Sequence, residues 1–153
     1  MKRLLSFGLA VLVMLSAFSF VSFAADETIM SVESFSDGSY GITSTKTVFA
    51  LFAAKGTVTK TKTYKFYDTS NNLDWTASIT ATFSYNGTTA SCTDVSKSTT
   101  IYDSAWKCTS SSCSKSGATA TGNFTFKRYV LLVPVQTVNK TLTLTCDPNG
   151  NVT

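Results

Sequence analysis

Between Leu73 and Tyr85 the chain reads LDWTASITATFSY, apolar at every odd position and polar at every even one. Successive side chains of an extended backbone point to opposite faces, so a period of two predicts a strand with one buried and one wet face. Asn86-Gly87 follows, a pair that favours the two-residue hairpin turn because both of its central residues need positive φ. Counting back from that turn sets Tyr85 opposite Thr88, Phe83 opposite Ala90 and Ala81 opposite Cys92, which aims Cys92 at the core.

Similar patterns flank this strand. Tyr40 to Phe52 is rich in Thr, Val and Phe without proline, and TVTKTKTYKFY at 57–67 alternates with Val58, Tyr64 and Phe66 on one side. Both read as strands, joined to the next element by the polar loop DTSNNLD. Shorter strands are predicted around Ile101-Tyr102 and Trp106 to Cys108. From Ala118 to Phe126 the even positions form the smaller or apolar face, and a last strand sets Val138, Leu142, Leu144 and Cys146 together. The apolar run YVLLVPV at 129–135 contains Pro134 and reads as an edge or a bend. The residues before SDGSY, with Glu27 and Glu33, read as a flexible acidic lead.

Seven or eight strands, no helix after the N-terminal segment and turns every eight to twelve residues predict an all-β fold, an antiparallel β-sandwich. The spacing of Cys92, Trp106 and Cys146 suggests an immunoglobulin-like architecture. Descent from that family is not implied, because Leu144 stands where a tyrosine is expected two residues before the second cysteine, and too few residues follow Cys146 for a final strand.

The N-terminus changes where this sandwich is expected to reside. Lys2 and Arg3 precede an apolar run from Leu4 that ends in small residues ahead of Asp26, the layout of a secretory signal peptide. Residues 1–24 are read as that signal, cleaved after Ala24, and 25–153 as a single secreted β-sandwich domain. Retention as an uncleaved anchor is the alternative, given the length of the apolar run. Loss of Lys2 and Arg3 reduces the formal net charge of +4 to about +2. That bias is too weak, and the lysines too scattered, to indicate nucleic acid.

An exported address makes the four cysteines, Cys92, Cys108, Cys113 and Cys146, read as two disulfides. Three pairings are possible. CTSSSC can form a short turn that joins Cys108 to Cys113, leaving Cys92 with Cys146. A zinc site is the rival reading, disfavoured by the absence of histidine.

DGSY, LDWTASITATFSYNGTTASCTDVS, SAWK, SKSGATATGNFTFKRY and VPVQTV together resemble small secreted Ser/Thr-rich β proteins of Gram-positive bacteria grouped only as a domain of unknown function. The resemblance implies the address and the fold class, and brings no activity or site residues with it.

Candidate chemistry is sparse. Without histidine there is no Ser-His-Asp or Cys-His nucleophile system, and the acids lie in the lead or beside turns, with Asp74 on the wet face of its strand. Asp68, Ser70, Asn72 and Asp74 alternate like the start of a calcium loop, yet Leu73 and Ile79 occupy the positions that need glycine and an acid. Turn chemistry is the simpler reading, and no metal or cofactor is expected. Trp75 falls in the core alternation. Trp106, Tyr67, Tyr102 and Tyr129 are the candidates for a ligand-facing aromatic patch. The reading is a disulfide-stabilised, non-catalytic binding module for a cell-surface polysaccharide or an extracellular protein, without nucleic acid or a stable membrane anchor. The alternatives are a membrane-active toxin or bacteriocin-like protein and, behind it, a small cell-wall or glycan hydrolase.

Overall fold

The computed structural model describes residues 27–50 and 55–153, so the signal segment and its cleavage point lie outside the described residues. Eight antiparallel strands are present among them: β1 Glu27–Ser34, β2 Tyr40–Ala50, β3 Gly56–Tyr67, β4 Leu73–Tyr85, β5 Ala90–Ile101, β6 Trp106–Ser116, β7 Thr119–Val130 and β8 Val133–Thr145. They form two sheets, ordered β1-β2-β3-β4-β5 and β6-β7-β8. The result is an all-β antiparallel sandwich. Every neighbour in each sheet is also the next strand in the chain, so the connectivity is a meander. The Greek-key connections of an immunoglobulin-like sandwich are not found in it.

The β4 alternation holds from Trp75 onward, with Trp75, Ala77, Ile79, Ala81, Phe83 and Tyr85 all buried. Phe124 and Phe126 of β7 and Leu142 and Leu144 of β8 close over them. The indole of Trp75 stacks on Phe126 of the opposite sheet at 3.7 Å between ring centroids, and on Phe66 of β3 at 5.0 Å. Gly122 lets β7 approach β4, because a Cβ there would run into Ile79. Lys60 and Lys62 share the inward face of β3 but sit at the open side of the sandwich. Their ammonium groups donate to the carbonyls of Val152 at 2.5 Å and Thr143 at 2.6 Å.

The β4–β5 hairpin differs from expectation in its turn. Tyr85 pairs with Ala90, Phe83 with Cys92 and Ala81 with Val95, with a bulge at Thr82/Phe83. Gly87 alone of the pair takes positive φ. Asn86 instead uses its side-chain oxygen to accept the Thr88 and Thr89 amides, at 3.0 and 2.8 Å. The loop is thus four residues long. Between the turn and the bulge the pairing moves by two positions, which preserves parity, so Cys92, opposite Phe83, still points inward; beyond the bulge the shift is three.

The lead is a strand. β1 pairs along β2 with a bulge at Met30 that breaks its alternation, and this is why no period is visible in ETIMSVES. The smaller sheet does not cover β1, whose residues are all exposed. Two ion pairs fasten it: Glu27 to Lys65 at 2.9 Å and Glu33 to Lys140 at 2.6 Å. The Ser44 hydroxyl, then Lys65, hold the Glu27 carboxyl below the ordinary range, and Lys140 does the same for Glu33. Because both folded values are lowered, their contribution is complete above the unfolded value of about 4.3 and is lost as the pH falls through the folded values. Acidification below about pH 4 is expected to release β1 before the sandwich. Amide exchange followed across that range checks this, and protection in β1 that falls no faster than in β4 would contradict it.

Candidate functional site

One end of the sandwich gathers four connections: 35–39, 68–72, 102–105 and the turn between β7 and β8 at 131–132. Three of them are closed by carboxylates that accept nearby backbone amides. Asp68 takes the amides of Ser70 and Asn72 at 2.8 Å each and the Asn72 side-chain amide at 3.0 Å, with Asn71 at φ 65°. Asp37 binds Ser39, and Asp103 accepts the Ala105 amide at 2.9 Å. The Asp68 loop has a counterpart at the other end, where Asp147 binds Asn149 and Asn151 in the same pattern. Both loops are therefore Asx turns with their oxygens already engaged. No group of three or more Cys, Asp or Glu among the described residues could hold a metal.

Asp74 and Trp106 depart from their expected positions. The 102–105 connection folds over the start of β4, where the Asp74 carbonyl accepts the amides of Tyr102 and Asp103. Asp74 is consequently buried rather than wet, and its carboxylate accepts the Trp106 indole N–H at 2.8 Å. Trp106 is only 2% exposed and packs edge-on against Trp75 at 5.9 Å, so it is a core residue and not a ligand-facing one. Of the other candidates, Tyr67 is half-buried and stacks on Tyr40 at 5.0 Å. Tyr129 is half-buried with Lys107 5.3 Å from its ring centre, and Tyr102 is exposed. These three tyrosines do lie at the same end.

The run 129–135, read from the sequence as an edge or a bend, does bend, but that reading missed the form of the bend: it is the tip of the β7–β8 hairpin. Leu131 and Leu132 form its two-residue turn with φ of 48° and 72°, the left-handed region that bulky side chains avoid at about 1–2 kcal/mol each. They are 93% and 89% exposed. Val130 pairs with Val133 directly behind them, followed by Tyr129 with Pro134, then Arg128 with Gln136. Val130, Val133 and Val135 are all exposed as well. Lys107 pairs with Lys127 on the inner strand of the hairpin, and the Asp68 carboxyl is held below the ordinary range first by the Asn72 side chain and amide and least by Arg128. The signal in the sequence was available: an unbroken apolar run midway between two alternating strands must contain their turn.

The cysteines are unpaired. Cys108 and Cys113 lie in one continuous strand, β6, not in a turn. Five residues of extended chain separate them by about 16 Å, far beyond the Cα separation of about 7 Å that a disulfide tolerates. Cys92 and Cys146 are both buried at the end opposite the leucines. Their amides donate to the successive carbonyls of Gly117 and Ala118, at 2.8 and 3.0 Å, and burial pushes both thiols up.

No family model, no curated protein and no solved structure matches this chain.

Burial pushes the Asp74 carboxyl up, against the smaller opposing effect of the Trp106 N–H. A carboxyl raised by folding costs stability as the pH rises from its unfolded value of about 3.9 through the folded one. Asp74→Asn retains an acceptor for Trp106 and removes the buried charge. It is expected to be more stable than wild type at neutral pH, with the advantage shrinking toward acid. Asp74→Ala orphans the indole N–H and is expected to lose about 1–3 kcal/mol. Urea unfolding across pH reads both, and an Asn variant that loses as much as the Ala variant would show that the charge itself is needed.

Proposed function

We propose that the chain is an exported, non-catalytic binding module that meets its partner through the end of the sandwich carrying residues 130–135. The observation that carries this reading is the tip: two exposed leucines in a strained turn, backed by three exposed valines. Contiguous exposed apolar surface of this kind marks interaction sites, and backbone strain in bulky residues concentrates where function maintains it. Tyr67, Tyr102 and Tyr129 at the same end extend the surface. Binding is favoured over catalysis because the carboxylates here already have partners: Asp68 in its own loop, Asp74 on Trp106, Asp103 on Ala105. Export is supported by the charged, apolar and small-residue layout of 1–24.

Retention on whole bacterial cells, peptidoglycan and insoluble polysaccharide tests the reading. The full chain is expected to be retained on cells, and L131N/L132G, which supplies the residues such a turn prefers, to be lost from them. Equal retention of the two would place the binding surface elsewhere.

Under the same reading the exterior is oxidising, and Cys92 and Cys146 are the two thiols that the fold buries beside one segment, Gly117-Ala118. Peptide mapping of the oxidised chain is expected to find Cys92 linked to Cys146, with Cys108 and Cys113 not linked to each other. A Cys108–Cys113 peptide would mean that β6 is interrupted in solution.

A further inference from the structure

We propose that the 130–135 tip is a membrane-interface anchor, whose occupant is the surface layer of a lipid bilayer. The inference rests on the reading of this end as the binding surface and names what is bound there. The hairpin is layered by depth. Leu131 and Leu132 are outermost, Val130 and Val133 come next, then Tyr129 and Pro134, and behind them Arg128, with Lys127 and Lys107 one rung further back. At about 3.4 Å per residue, the leucines stand about 7 Å beyond Tyr129 and about 10 Å beyond Arg128. A bilayer presents the same order to an approaching protein: an apolar boundary that takes side chains about 5–10 Å deep, a headgroup level favoured by tyrosine, and anionic headgroups that attract cations.

Shape supports a bilayer over a protein groove. Val130 and Val133 share one face of the ribbon, Pro134 lies on the other, and the two leucines close the end. A groove covers one face of a hairpin and leaves the other wet, whereas a bilayer surrounds an inserted tip. Charge is balanced at this end. Lys107, Lys127 and Arg128 lie behind the tip, and Asp37, Asp68 and Asp103 keep their negative charge while accepting from Ser39 and Gln136, from their own loop and from Ala105. The apolar layering and not net charge therefore carries the inference. The turn itself is the second, independent observation. Asn-Gly would make the same bend without strain, yet the chain places leucine at both left-handed positions and leaves both side chains in water. No helix among the described residues is long and apolar enough to cross a membrane. The contact proposed is that of the hairpin tip seated in the interface.

Trp75 and Trp106 are buried, so a tryptophan added at the tip reports its surroundings above a steady background. Residues 1–24 are common to all variants, and the readout is specific to position. L131W in the full chain, mixed with vesicles of equal parts phosphatidylcholine and phosphatidylglycerol, is expected to shift to the blue and to be quenched by brominated acyl chains. T88W, at the opposite end, is expected to do neither. L131N/L132G is expected to partition onto the same vesicles at least about tenfold more weakly, while melting no lower than wild type. If L131W is not quenched and L131N/L132G still loses its retention on cells, the lipid assignment falls and the loop-end reading stands. If L131W is not quenched and retention is unchanged, both fall.

Discussion

The sandwich depends on the contact between Trp75 and Phe126. The two rings lie nearly parallel across the gap between the sheets, and Phe66 continues the stack within the larger sheet while Trp106 meets it edge-on. Each of these aromatics removes a large apolar area from water and adds the attraction of offset or edge-to-face rings, about 0.5–1.5 kcal/mol per pair. The cost is visible too: the Trp75 indole N–H is buried with no hydrogen-bond partner among the described residues, a penalty of about 1–3 kcal/mol. That the ring is placed there regardless shows which effect wins. The cluster also ties together elements distant in sequence, since β3, β4, β6 and β7 each contribute one ring.

From this cluster the order at the loop end follows. Trp106 is drawn into the stack, and its N–H must then find an acceptor in the interior, which Asp74 provides. The connection 102–105 is pulled over the start of β4 as a result, with its amides on the Asp74 carbonyl. Ala105 in turn accepts the Tyr129 amide at 2.8 Å, so the base of the β7–β8 hairpin is braced against the same connection. The tip beyond Tyr129 has no such support.

Much of this was legible in the chain because alternation survives local error. β4 and the apolar faces of β7 and β8 follow directly from their period of two, and the four-residue turn at Asn86 moved the β4–β5 pairing between turn and bulge by an even number, which left Cys92 inside. Where a residue's fate depended on what folds over it, one-dimensional pattern was silent. Asp74 occupies a wet-face position of its strand, and only the arrival of 102–105 buries it. CTSSSC looks like a turn because serine is abundant in turns, but its pairing with β7 keeps it extended. β1 was hidden by a bulge, a feature with no sequence period at all.

The tip was hidden for a different reason, and the reason bears on its role. Turns are read from glycine, asparagine, aspartate and proline, because those residues lower the cost of the backbone conformation. Leu131-Leu132 offers none of that, and local preference there opposes the structure formed. The conflict is settled by the strands on either side: Lys127 with Thr137, Phe126 with Val138 and every rung below them fix the register and impose the bend on whatever residues fall at its apex. A hairpin able to impose a turn on two leucines is a rigid support for them. The flanking ladder therefore does two things at once, overriding a poor turn sequence and holding an apolar pair clear of the protein, where it meets whatever lies outside. Sites at which local sequence preference and global fold disagree are where functional constraint is to be sought, and here the disagreement is sharpest at the most exposed large apolar side chains among the described residues.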